Sequence, residues 1–455
     1  MEIEKRELVF IPSPSQGHIV STLKLAERLL LNITNPNQLS ITILTIKPPL
    51  PTPQIDHYIS SLPSTFPSLK FIQLPHVDPP PLKSTPIEAF ISLNIQNHKP
   101  LIKATLTQLN SAGRLAGLVI DFFFTTLIDV GTDLEIPTFI FFASNAAMLG
   151  LMLHLPILDT EFGDSGFTES IRVPSFANSV PSKVLPSAIL NNHNEAYKWF
   201  LYHGRRFKEA KGILVNTFGE IERHAIESLA GGEAPKVYAV GPIIDVEGKR
   251  HFQSQSQSQS QSSKSVELKR SYDYKKWLDK QPEGSVVLLC FGSRGGFTDP
   301  MQVREVAAGL ERSGHRFLWV LRRAHAAVGG DGVEEVGEGL PEGFEGRMEG
   351  RGCLWFGVPI ATWPMYAEQQ LNAFYMVREK GLAVEMKLDY RLGGGGVVTV
   401  EEMERGVNEV MEKESEVRKR VEEMSKRSRD AIGEDGSSLA SLRQFVQDMV
   451  SNYKV

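Results

Sequence analysis

The sequence predicts an α/β protein made of two open, mostly parallel-sheet domains. Three observations carry that expectation. Short apolar runs rich in β-branched residues alternate with helical patterns through the first half of the chain. The alternation stops at a stretch with nothing to bury, then begins again. At 455 residues the chain is also longer than one ordinary domain, which suggests about two to three.

In order, the first half reads as a strand in ELVFIPSP, a helix from about His18 to Leu31, and strands in LSITILTI and LKFIQLP. A helix over Ile87 to Leu109 follows, then strands in LAGLVIDFFF, PTFIFF, KGILVNTF and PKVYAVGP. These runs lack polar alternation, as expected of a sheet covered on both faces. Ile136 to Pro156 carries no formal charge and approaches the ~20 residues of a membrane span. Its Ser144-Asn145 centre reads instead as the N-cap of a helix after a buried strand.

Gln253 to Ser263 alternates Gln and Ser and reads as a disordered linker or surface loop. The expected division is a first domain over 1–245, a linker over 246–270 and a second domain over 271–455. In the second domain a strand in EGSVVLLCFGS precedes a helix over Met301 to Arg312, then strands in HRFLWVLRR and VPIATWP. Ala324 to Gly343 and Gly393 to Gly396 read as surface loops. From Val400 onward the pattern is of charged helices packing on one face.

Composition narrows the function. Lys and Arg total 49 against 54 Asp and Glu, a net charge of −5 without a basic stripe, so nucleic acid is not an expected partner. Two cysteines, Cys290 and Cys353, make no disulfide framework and fit a reducing, cytoplasmic setting. No CxxC, HExxH or DxD pattern argues for a metal, and no stable membrane insertion is expected.

Open α/β domains bind ligands outside the carboxyl ends of their strands, which makes the cleft between two such domains the default site. His18 ends IPSPSQGH, after a strand and at a helix start, with Gln16 and Gly17 read as a tight turn that a ligand can approach closely. Alone, a histidine there more often caps or is solvated. Asp121 ends the apolar run LAGLVID, where a carboxylate is costly unless partnered. Joined to an imidazole it would fix the tautomer of a general base; the alternative is N-capping of the next segment. Gly292, Ser293, Gly295 and Gly296 form a loop able to present backbone N–H groups to an anion. Phe122, Phe123 and Phe124 read mostly as core, with an acceptor pocket as the competing role.

The segments IPSPSQGH, VIDFFF, VNTF, YAVGP, WLDKQPEGSVVLLCFGS and LWFGVPIATWPMYAEQQ occur in that order over nearly the whole chain. Together they resemble the plant family-1 UDP-glycosyltransferases, above all those that glucosylate flavonoids and other small phenolic acceptors. The resemblance implies the GT-B architecture, two facing Rossmann-like domains, and transfer of glucose from UDP-glucose with inversion. No cofactor is implied beyond that co-substrate. It further implies His18 as base, Asp121 as its orienting partner, and Ser293, Ser144, Glu368 and Gln369 on the donor, Ser293 near a phosphate. Gly17, Phe122 and Phe123 would border the acceptor. A Gln at position 369 resembles glucose users more than galactose users.

In that family the WPMYAEQ end follows a Trp-Ala-Pro-Gln segment and a His-Cys-Gly-Trp-Asn-Ser segment. Neither occurs here; Gly352 and Cys353 run straight into Leu354. The second domain is therefore expected to be shortened near 352–354 by ~30 residues, about a strand-turn-helix unit. An alternative expectation follows: a catalytically inactive truncated or mis-spliced relative that binds acceptor, or an intact family member, without turnover.

Overall fold

The computed structural model describes residues 6–32, 39–47, 53–81, 84–231, 234–244, 276–291, 296–297, 299–320, 354–394 and 396–451. The expected linker, the Gly352–Leu354 junction up to Cys353, and the 324–343 loop lie outside the described residues. The described residues fall into two units, one within Met1–Ser182, Ala188–Ile244 and Ser428–Val455, the other within Lys183–Ser187 and Asp245–Arg427.

In the first unit the apolar runs become β1 (Arg6–Ile11), β2 (Leu39–Thr45), β3 (Leu69–Gln73), β4 (Leu115–Asp121) and β5 (Thr138–Phe142). A short antiparallel ribbon, β6 (Ser170–Ile171) and β7 (Val180–Pro181), precedes β8 (Gly212–Val215) and β9 (Val237–Ala239). Seven of these form one sheet in the order β3-β2-β1-β4-β5-β8-β9. Every pairing within it is parallel. β1, β4 and β5 are buried along almost their whole length, as continuous apolar runs in a doubly covered sheet should be.

The chain steps outward from β1 to β3 on one side, then returns to β4 and continues on the other. Strand order thus reverses between β1 and β4, whose carboxyl ends lie side by side, Ile11 opposite Ile120. That reversal opens a crevice at the strand ends, where ligands bind in open α/β sheets.

The near-span segment resolves as expected, into β5 and the helix Ala146–Phe162 capped by Asn145, whose Oδ1 accepts from Met148 N at 2.8 Å. No helix among the described residues is long and apolar enough to cross a membrane.

The C-terminal helices depart from the expectation of one shared face. Helices Val400–Met411 and Ser437–Ser451 part company: the first packs on the second unit's core, the second on the first unit's sheet. Leu439, Leu442, Phe445 and Met449 are all buried there, and the Phe445 ring meets Phe139 edge-on at 5.0 Å and Tyr238 at 5.4 Å. Tyr238 also donates to Asp448 at 2.7 Å. The segment 428–451, read as part of the second domain, thus clusters with the first unit. An apolar stripe says that a helix packs, not on which sheet.

The second unit holds β10 (Val286–Leu289) parallel to β11 (Arg316–Trp319), and β12 (Ile360–Thr362) parallel to β13 (Ala383–Glu385). Among the described residues these are two separate pairs around one small core of Leu289, Val306, Leu310, Met386, Val398, Met403 and Val407. The helix expected over 301–312 spans Pro300–Ser313. β13 has no counterpart in the sequence reading, because three residues after Gly381 are too few to show a period.

Candidate active site

The loop after β1 turns at once into the helix Gln16–Asn32. Ser15 O accepts the first helical bonds, from His18 N at 3.1 Å and Ile19 N at 3.0 Å. Gln16 and Gly17, read as a tight turn, belong to the helix's first turn instead, and Gly17 is exposed. His18 therefore stands in that first turn, its side chain 23% exposed.

Asp121 closes β4, the strand beside β1, and its side chain is fully buried. Its Oδ2 lies 2.6 Å from His18 Nδ1, while Oδ1 accepts from Phe123 N at 3.0 Å. Both roles weighed for this carboxylate are thus realised, as imidazole partner and as N-cap of the 3-10 turn Phe122–Leu127. A carboxylate at Nδ1 holds the neutral ring's proton there and puts the lone pair on Nε2, the arrangement of an oriented base. The rings of Phe122 and Phe123 flank the imidazole at 5.5 Å and 5.9 Å between centroids. They are buried, as the core reading had it, yet they form the wall beside His18.

Two groups near this wall carry no obvious sequence signal as site residues. Ser13 and Ser15, in the strand-to-helix loop, have buried hydroxyls without a protein partner. His203 sits wholly buried behind Phe123, and its absence from the sequence reading is instructive. Ala196, Tyr197, Phe200, His203 and Gly204 share the buried face of the helix Glu195–Arg206, a helical spacing that reads as core.

Ser144 is buried immediately before the Asn145 cap. At the same helix start Glu222 accepts from Ala146 N at 2.8 Å and Ala147 N at 2.9 Å. A negative group at a helix N-terminus is favoured by both the free amides and the macrodipole.

In the second unit Glu368 and Gln369 open the helix Gln369–Phe374. Gln369 Oε1 accepts from Met365 N at 2.8 Å and Tyr366 N at 3.3 Å, so its oxygen ties down the WPMY turn and its amide nitrogen is the group left to donate. Ala367 just before them adopts φ 55°, a left-handed conformation that costs a non-glycine residue about 1 kcal/mol or more. Ser293 lies outside the described residues, as do Gly292 and Gly295 of the expected anion loop.

No protein-family model matches this chain. Curated relatives do. The chain is 41% identical to UDP-glycosyltransferase 71K1 of Malus domestica over 495 aligned residues, covering 98% of this chain and 99% of that one. It is likewise 41% identical to UDP-glucose flavonoid 3-O-glucosyltransferase 6 of Fragaria ananassa, with 97% and 98% covered. Among solved structures, Medicago truncatula UGT71G1 complexed with UDP-glucose matches with a TM-score of 0.81 at 36% identity, over 98% of this chain and 99% of that one. The fold is accordingly GT-B, built of Rossmann-like α/β domains. By sequence, fold and coverage together, the chain belongs to the plant UDP-glycosyltransferases.

Proposed function

We propose that this chain transfers glucose from UDP-glucose to a hydroxyl of a small lipophilic acceptor, such as a flavonoid or another phenolic. The observation that carries the reading is the 2.6 Å His18–Asp121 pair at the strand-order reversal. His18 Nε2 takes the acceptor's hydroxyl proton. The freed oxygen bonds to the sugar's anomeric carbon as the bond from that carbon to UDP breaks, so configuration inverts. Asp121 stabilises the imidazolium that forms. Phenols suit such a base better than alcohols, because less driving force is needed to remove their proton.

The apolar wall of Phe122 and Phe123 supports a lipophilic acceptor. The Fragaria ananassa relative is a UDP-glucose flavonoid 3-O-glucosyltransferase, which supports both substrates. On the donor, Glu368 and the Gln369 amide are assigned to sugar hydroxyls, with Ser144 and Ser293 as further polar contacts. No metal takes part in this scheme.

A specific observation favours a second reading, a family member without turnover. The alignment with the Malus domestica relative runs to 495 positions on a chain of 455, as it would if a segment were missing here. Loss of a stacking ring for the uracil would remove ~1–3 kcal/mol of donor binding. Loss of a helix start would take away amides that hold phosphates. Calorimetric titration with UDP, alongside UDP-glucose turnover on a panel of flavonols, separates the readings. Binding with turnover that vanishes in His18→Ala supports transfer; a folded protein that ignores UDP supports the second reading.

A further inference from the structure

Behind the aromatic wall, the His203 ring bridges two hydroxyls. Its Nε2 lies 2.9 Å from Ser92 Oγ on the helix Ile87–Leu109, and its Nδ1 lies 2.7 Å from Thr125 Oγ1 in the turn Phe122–Leu127. A neutral imidazole has one donor and one acceptor, so one hydroxyl gives a proton to the ring and the other receives one. Burial keeps the ring neutral, with its pKa pushed down to about 3. The same ring meets Phe123 edge-on at 6.0 Å and stacks on Trp199 at 5.5 Å. Beside it, Gly204 seats the helix closely, since a Cβ there would fall 2.3 Å from Met152 O.

His203 therefore grips the turn at two places, Thr125 by a hydrogen bond and Phe123 by ring contact. That turn needs an outside hold. Its 3-10 geometry makes poorer hydrogen bonds than an α-helix, and Phe124 breaks it with φ −106° and ψ 24°. The turn also starts on Asp121, whose carboxylate is fixed by Phe123 N. If Phe123 shifts, the carboxylate that orients His18 shifts with it.

We propose that His203 is a positioning residue for the His18–Asp121 pair, holding the Phe122–Leu127 turn in register from behind through Thr125 and Phe123. The inference rests on His18 being the base. Simple volume filling does not explain the residue. A phenylalanine would fill the space with no polar group to satisfy, whereas a buried imidazole is tolerated only with both nitrogens bonded.

The test reads His18 directly, so it does not depend on turnover. In protein labelled with ¹⁵N-histidine, long-range imidazole NMR gives the tautomer and titration midpoint of His18, assigned by loss of its signals in His18→Ala. The wild type is expected to hold the proton on Nδ1. Thr125→Val and His203→Phe are expected to lower that midpoint by about half a unit or more and to mix the tautomers, as the carboxylate drifts from the ring. Ser92→Ala, which leaves the Thr125 bond intact, should shift it less. A folded Thr125→Val protein whose His18 keeps the wild-type tautomer and midpoint overturns the proposal, and this variant decides the matter if His203→Phe does not fold. A wild-type His18 that titrates as a solvated imidazole with mixed tautomers overturns the base reading itself, and His203 with it. Where turnover is measurable, kcat should fall about tenfold in Thr125→Val with the acceptor KM within about twofold, the split expected of misplacement rather than lost binding.

Discussion

The two units are built from the same kind of element, parallel strands with helices packed on them. The first closes seven parallel strands into one sheet and locks its histidine–aspartate pair at the point where strand order reverses. The second, among its described residues, divides four strands into two pairs around a small core. The His18–Asp121 pair thus rests on a seven-stranded sheet, whereas the helix that Glu368 and Gln369 open follows a strand of a two-stranded pair.

The sharpest way to break that contrast is His18→Ala. If the first unit carries a working base, turnover on a flavonol should fall about 10²–10⁴-fold while the Tm moves little. Turnover that survives the substitution would place the decisive chemistry elsewhere. Next in size is an insertion into the second unit. Insertion of the ~30-residue segment of an intact relative between Gly352 and Leu354 should tighten UDP binding about tenfold or more, read by calorimetry, from the stacking energy alone. An unchanged affinity would mean that the shorter unit is already complete for its ligand.

Acid should act on the first unit ahead of any change in its fold. The folded His203 pKa lies near 3, below the unfolded value of about 6.5, so the unfolded chain takes up the proton first. Its contribution is full above about pH 6.5 and is lost as pH falls toward 3, amounting to about 2 kcal/mol by pH 5. Chemical denaturation monitored in the first unit should show this slope, and His203→Phe should flatten it. The smallest effect is expected on the second unit's surface. Arg312 pairs with Glu401 at 2.9 Å in solvent, and Glu401→Ala should leave the denaturation midpoint indistinguishable from that of the wild type.

The sequence displayed most of the first unit because its strands are uninterrupted apolar runs separated by clear helical periods. LAGLVID and PTFIFF became β4 and β5 almost as read, and Asn145 capped its helix. His18 and Asp121 were legible as a pair because both end strand-like runs, and the topology then placed those ends side by side. What escaped notice was set by tertiary contact. His203 looks like any core residue on an amphipathic face; only its two hydroxyl partners, 111 and 78 residues away, set it apart. Gln369 was expected on sugar hydroxyls; that its oxygen also accepts from the N–H groups of Met365 and Tyr366 is a local bond that spacing does not reveal.

The helix Ser437–Ser451 gives the first unit a peculiar order of birth. Its Leu439, Leu442, Phe445 and Met449 belong to the same core as Phe139 and Tyr238. The strands that line that core leave the ribosome hundreds of residues earlier. During synthesis part of that core stays uncovered while the second unit is made. A piece of the chain ending near Ile244 would lack those four side chains, so a cut there takes away part of the first unit's core.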